Sequence, residues 1–229
     1  MTDASSANDQ DNNADPEIEG TIHFAYELSP PENAAASPQT FAQLSAWRSV
    51  LHALQLLGQQ PDRYQGYAYG NLSCRSVEEN PEQFVITASQ TSGHPNLLDE
   101  HLVRITHYNL SRFWIEAQGH EPPSSESITH AMIYAADPRI SWVFHVHSSE
   151  IWQQRDALVL PATPADVAYG SAAMATAVSE LLQTHQSRPL VCATAGHEDG
   201  IFALAHNSRD CGGLLVSYLA KARTLLAAQ

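Results

Sequence analysis

Phe41, Leu44, Trp47, Leu51 and Leu54 recur at intervals of three and four, the spacing that gathers apolar side chains on one side of an α-helix. Ser37-Pro38 ahead of them offers a cap and a first-turn proline, and Gly58 a stop, so the pattern predicts a helix over 38–58. Before it, Ile22, Phe24 and Tyr26 alternate with other residues and predict a short edge strand. After it the period falls to two. Strand-like runs stand at 67–75, 84–88, 102–108 and 113–117, each set off by Gly, Pro, Asn or Asp. A capped helix is predicted over 125–136, stopped by Asp137-Pro138, and a strand of β-branched and aromatic residues over 142–147. A helix over 171–185, strands over 190–194 and 201–205 and a closing helix over 207–227 complete the pattern. With no internal repeat and no interior linker, this is one α/β domain with helices packed around a mixed sheet.

Composition bounds the function. The chain has 229 residues, 43% hydrophobic and 16% charged, enough for one domain, placed at 21–229. Residues 1–20 hold six acidic groups and no basic one, and are expected to form a disordered acidic tail. No apolar stretch reaches the roughly 20 residues of a membrane helix, and the start lacks the pattern of a signal peptide, so no membrane partner and a cytoplasmic location are expected. The net charge of −14 disfavours nucleic acid as a partner. Cys74, Cys192 and Cys211 are too few and too scattered for a disulfide framework or a cysteine-rich zinc site. Lys221 is the sole lysine, which argues against imine chemistry. The 12 histidines are the oddity.

His145 and His147, two apart in one predicted strand, project from the same face of the sheet. A chain this rich in histidine contains such a pair by accident about 0.6 times, so the pair needs company. His197, in the Gly-bounded run Gly196-His197-Glu198-Asp199-Gly200, is the natural third ligand; three histidines with an open position is the catalytic pattern for zinc. Pro123-Ser124-Ser125-Glu126-Ser127 enters the predicted helix at 125, where hydroxyls and free N–H groups form an anion site. Glu126 in that first turn is favoured by the helix dipole in any case, and a carboxylate there could also reach a nearby metal as a general base. Two polar loops, Gly70-Asn71-Leu72-Ser73 and Thr91-Ser92-Gly93, could complete a cradle for phosphate.

In order along the chain, Gly70 to Ser73, Ile86 to Gly93, Pro123 to Glu126, Thr129 to Tyr134 and Val143 to Ser148 resemble the class II aldolase/adducin head-domain family, over roughly 40–227. The resemblance implies a three-layered α/β/α domain with a central, mainly antiparallel sheet, assembled as a homotetramer. It implies His145, His147 and His197 as ligands of a divalent metal, most often Zn2+, with Fe2+, Mn2+ or Co2+ as other occupants. It implies Asn71, Ser92, Gly93, Ser124 and Ser125 as the binding site of a small anionic, phosphorylated substrate, and Glu126 as the proton-transferring acid/base. The chemistry implied is that of a metal-dependent lyase: charge on an enediolate is stabilised by the metal while Glu126 removes or returns a proton.

Two departures from the family's pattern bear on the site residues. The third ligand usually stands in a His-Gly turn, whereas Glu198 and Asp199 separate His197 from Gly200 here. Along a strand His197 and Asp199 would share a face, so Asp199 remains an alternative ligand, with a metal other than zinc. The segment 160–170 is short and leaves Tyr169 as its one tyrosine, with two readings open: a proton donor, or an aromatic wall of the site beside Gly170. A sugar-phosphate 4-epimerase, a dehydratase or decarboxylase, and a non-catalytic adducin-like binding module are the competing readings.

Overall fold

The computed structural model describes residues 19–75, 80–167 and 171–229. Chain order is β1 (Ala25–Ser29), α1 (Pro38–Ala53), β2 (Gly58–Gln59), β3 (Ala68–Tyr69), β4 (Asn71–Cys74), β5 (Phe84–Thr87), β6 (Leu102–Asn109) and β7 (Trp114–Gln118). Then come α2 (Ser127–Ala136), β8 (Trp142–His147), α3 (Ser149–Gln153), β9 (Ala162–Thr163), α4 (Ala172–Thr184), β10 (Leu190–Thr194), β11 (Gly200–Ala205) and α5 (Ser208–Leu226). Nine strands form one sheet in the order β1-β7-β6-β5-β4-β8-β11-β10-β9. Only the outermost pairs, β1 with β7 and β9 with β10, are parallel; the rest of the sheet is antiparallel.

Strand alternation sorts the core into two layers. Val143 faces α2 and α4, joining Ile86, Val103, Ile105, Phe202 and Leu204 against Ile128, Ala131, Met174 and Val178. Phe144 and Val146 face the other way, with Leu72, Val191 and Ile201, against Leu44 and Leu51 of α1 and Cys211, Leu215 and Leu219 of α5. A central sheet with helices on both faces is the three-layered α/β/α arrangement expected from the resemblance. The same alternation puts His145 and His147 on the face of Val143, toward α2.

Most predicted elements form, with shifted ends. The first strand forms over Ala25–Ser29, three residues later than the alternation of Ile22, Phe24 and Tyr26 placed it. Phe24 enters the core, while the ladder forms where the backbone meets Trp114–Gln118. The helix predicted to Gly58 ends at Ala53, and Gln55 turns left-handed (φ 59). The strand expected over 67–75 is split by Gly70, which has φ 78. A side chain there would meet the Leu57 Cβ at 2.8 Å and the His145 carbonyl at 3.1 Å. That break lets the chain leave the small β2–β3 pair and enter the main sheet as β4 beside β8. The sequence pattern does not predict the short α3 and β9, which at five and two residues are too short to show a period. No helix among the described residues is long and apolar enough to cross a membrane.

Candidate metal centre

Register builds the centre from the middle of the sheet. β8 runs antiparallel between β4 and β11, with Asn71 opposite His145 on one side and Phe202 opposite His145 on the other. The His145 and His147 rings therefore lie on the α2 side, fully buried, with their Nε2 atoms 3.1 Å apart. Nitrogens bound at 2.0–2.1 Å to one tetrahedral zinc stand about 3.3 Å apart, so the pair has chelating spacing. Burial, reinforced by the neighbouring imidazoles of His197 and His145 and by Arg63, lowers the His147 pKa well below its usual value and keeps the ring neutral, the form that binds metal.

The turn after β10 delivers the third imidazole. His197 N–H donates to the Thr194 carbonyl (3.1 Å) and Gly200 N–H to the His197 carbonyl (3.0 Å), closing a tight turn. Gly200 sits opposite His147, and a side chain there would collide with the Thr194 hydroxyl. His197 stacks on His145 at 5.6 Å and meets His147 edge-on at 4.7 Å. One nitrogen from each ring lies within 4.8 Å of the others. Asp199 goes elsewhere. It is left-handed (φ 65), which breaks the strand parity that would have aligned it with His197. Its carboxylate accepts from the Tyr64 hydroxyl (2.6 Å) and lies 3.7 Å from Arg63.

Glu126 faces this cluster from the start of α2. Its Oε2 is 3.0 Å from His145 Nε2 and accepts from Asn71 Nδ2 at 2.9 Å, while Oε1 is 3.7 Å from His197 Nδ1. Burial alone would raise its pKa; the charge and hydrogen bond of His145, then His197 and His130, outweigh that and hold the carboxyl at about 2. Among the described residues, Asn71 Oδ1, His130 Nε2, His145 Nδ1 and His147 Nδ1 are buried with no partner. Orphaned polar atoms are rare in folded interiors, and their concentration here marks a place built for something polar.

The sequence profile of the class II aldolase and adducin N-terminal domain matches residues 50–217, most of the chain. The chain belongs to the class II aldolase and adducin N-terminal domain family. Solved structures agree at the level of fold. L-fuculose-1-phosphate aldolase from Thermus thermophilus superimposes with a TM-score of 0.61 at 20% identity, over 84% of this chain and 95% of that one. A sugar-phosphate aldolase from Thermotoga maritima gives 0.62 at 14% identity, over 82% and 94%. YgbL from Klebsiella pneumoniae, a candidate aldolase/epimerase/decarboxylase, gives 0.62 at 16%, over 82% and 89%. No curated protein sequence matches the chain.

The remaining positions implied by the family resemblance gather around the same corner. Ala88 bridges Pro123 and Ser89 N–H donates to the Pro122 carbonyl, tying the Thr91-Ser92-Gly93 loop to the Ser124-Ser125 turn. The Ser92 hydroxyl donates to the Gly70 carbonyl, tying that loop to β4 as well. The buried Arg48 guanidinium donates to the carbonyls of Thr91 and His94 and so holds the loop from behind. Burial lowers the Arg48 pKa to about 10. Ser124 and Ser125 are buried just before α2, with the Ser124 carbonyl accepting from Ser127 N–H (2.9 Å) and its hydroxyl (2.7 Å). Asn71 joins this corner with its amide N–H committed to Glu126. Tyr169 lies outside the described residues.

Three residues near the centre escaped the reading of the sequence. His130 stands one helical turn after Glu126, a spacing that puts both on one face and was visible in the sequence. Its Nδ1 and the Tyr134 hydroxyl both bond the Ser73 hydroxyl at 2.7 Å, and burial takes its pKa to about 3. Tyr64, left-handed at φ 48, packs edge-on against His147 at 4.7 Å. The sequence places Glu19 in the acidic tail of 1–20. Residues 1–18 lie outside the described residues, but the Glu19 carboxylate reaches the centre, with Oε2 2.9 Å from His197 Nε2 and Oε1 3.8 Å from His147 Nε2. Nothing in the composition of that segment distinguished it from its acidic neighbours.

Proposed function

We propose that the protein is a metal-dependent lyase of aldolase type acting on a small phosphorylated sugar or hydroxy-keto acid. The observation that carries the reading is the buried Glu126 carboxylate 3.0 Å from the Nε2 of His145, within the cluster of His145, His147 and His197. The donor set fits a divalent ion: three converging imidazoles suit zinc first, with Fe2+, Mn2+ or Co2+ accommodated by the same nitrogens. Such an ion supplies a Lewis acid for the oxygens of a carbonyl and its adjacent hydroxyl.

The chain's own groups do the rest. Glu126, ionised at neutral pH, accepts the proton released next to the substrate carbonyl and returns it after the bond change. Asn71 orients Glu126 through its 2.9 Å hydrogen bond. Ser92, Gly93, Ser124 and Ser125 take the substrate's anionic group, the last two at the N-terminus of α2, where the helix dipole favours negative charge. Tyr169 remains the proposed proton donor. A homotetramer in the cytoplasm belongs to the same reading. Epimerisation, dehydration and decarboxylation would share these groups up to the first proton transfer, and differ in which bond then breaks.

The test is metal content per chain by elemental mass spectrometry, together with deuterium exchange into phosphorylated ketoses and keto acids followed by proton NMR in D2O. About one ion per chain with exchange at the carbon beside the carbonyl supports the reading. Protein that carries no metal, accepts none on reconstitution and exchanges nothing returns the domain to the adducin-like binding class.

A further inference from the structure

The Glu19 carboxylate lies against two of the three clustered histidines, although it comes from a segment whose composition is that of a solvated tail. We propose that Glu19 is a fourth protein donor of the metal centre, an exchangeable ligand that a chelating substrate must displace. The inference rests on the metal centre proposed above.

Two independent features support it. The first is spacing. Glu19 Oε2 is 2.9 Å from His197 Nε2, near the roughly 3.3 Å that separates donors of one tetrahedral zinc, and the other oxygen, Oε1, lies 3.8 Å from His147 Nε2, so the carboxylate faces both rings. The second is how the backbone arrives. Gly20 is left-handed (φ 79), and a side chain there would overlap the Gln90 amide, so the chain passes hard against Gln90. Gln90 is itself anchored, its Oε1 accepting from Ala68 N–H at 2.9 Å. A glycine at this contact directs the preceding residue inward, and Glu19 is left only 11% exposed.

The charges balance. An imidazole that binds a metal does so in its neutral form, so the two positive charges of a divalent ion would be offset by the carboxylates of Glu126 and Glu19. Glu126 approaches from the His145 side and Glu19 from the side of His197 and His147, so the two carboxylates flank the cluster. Glu126 is fixed by Asn71 at the cap of a core helix, whereas Glu19 is held by its own two histidine contacts and the passage over Gln90. Of the two, Glu19 is the one that can leave when substrate oxygens arrive.

The experiment uses the full chain reconstituted with Co2+, whose visible absorption reports ligand number and type. Parent, Glu19→Gln, Glu19→Ala and Glu17→Gln are compared for Co2+ stoichiometry, Co2+ dissociation constant, spectrum, and the dissociation constant of acetohydroxamate, a bidentate chelating probe. Expected for both Glu19 variants are one Co2+ per chain, a changed spectrum, about tenfold or greater weakening of Co2+ binding, and acetohydroxamate binding several-fold tighter than in the parent. Glu17→Gln, the same charge change two residues upstream, should match the parent. One Co2+ per chain with identical spectra and affinities in all four proteins would overturn the role of Glu19 while leaving the metal centre standing. An equal effect of Glu17→Gln would also overturn it, reducing the effect to overall charge. Absence of Co2+ binding by the parent would overturn this inference and the metal centre together.

Discussion

Replacing Glu126 by Gln changes one atom and removes one charge at the point where the proposed chemistry turns. The side chain is buried, so the variant keeps the volume of the parent, and a Gln oxygen can still accept from Asn71 Nδ2, now at 2.9 Å from Glu126 Oε2. What the amide cannot do is take a proton. General acid–base groups contribute about 10²- to 10⁴-fold, which corresponds to roughly 3–5 kcal/mol of barrier. The three imidazoles are untouched, so metal should stay at the parent stoichiometry while deuterium exchange into substrate falls by that factor. The assay is proton NMR in D2O on metal-analysed samples of parent and variant at equal metal content. Exchange at the parent rate in a fully metallated Glu126→Gln protein would refute the assignment of Glu126 as the base.

His197→Ala should lose most bound metal, whereas Asp199→Asn should keep it, because Asp199 is occupied by the Tyr64 hydroxyl; elemental analysis of the two variants reads the difference, and the opposite pattern would make Asp199 the ligand. Ser73→Ala removes the hydroxyl that joins His130 Nδ1 to the Tyr134 hydroxyl, leaving two buried polar groups at about 1–3 kcal/mol each, visible as a lower urea midpoint; an unchanged midpoint would mean that the network adds nothing. For metal-free protein, acid stability carries a sign. The Glu126 carboxyl is held at about 2 in the fold against 4.5 for an ordinary glutamate, so its contribution is present above about pH 4.5 and is lost as pH falls toward 2. That contribution is about 3 kcal/mol, and it should be missing from Glu126→Gln when the two proteins are unfolded by urea across this range; superimposable pH profiles would refute it.

Periodicity by itself determined much of this protein. The period of two over 142–147 placed His145 and His147 on one face, and the cap and dipole preferences of a helix start placed Ser124, Ser125 and Glu126 together ahead of α2. Both depend on local geometry alone, which neighbouring residues in the chain dictate. The choice between His197 and Asp199 did not, because a left-handed residue inside the turn cancels strand parity, and only the packing of Tyr64 against His147 shows where Asp199 is drawn. The partner of Asn71 was equally hidden. Its amide meets Glu126 because β4 pairs with β8 and α2 covers that face, a coincidence of three elements far apart in sequence. Glu19 lies furthest from any local rule: an acidic residue among acidic residues, distinguished only by the path that carries it over Gln90 to two histidines far along the chain. Short-range sterics write strands, helices and the faces of their side chains into the sequence, whereas which loop or terminus closes on a given face is decided by the sum of long-range contacts in the folded chain.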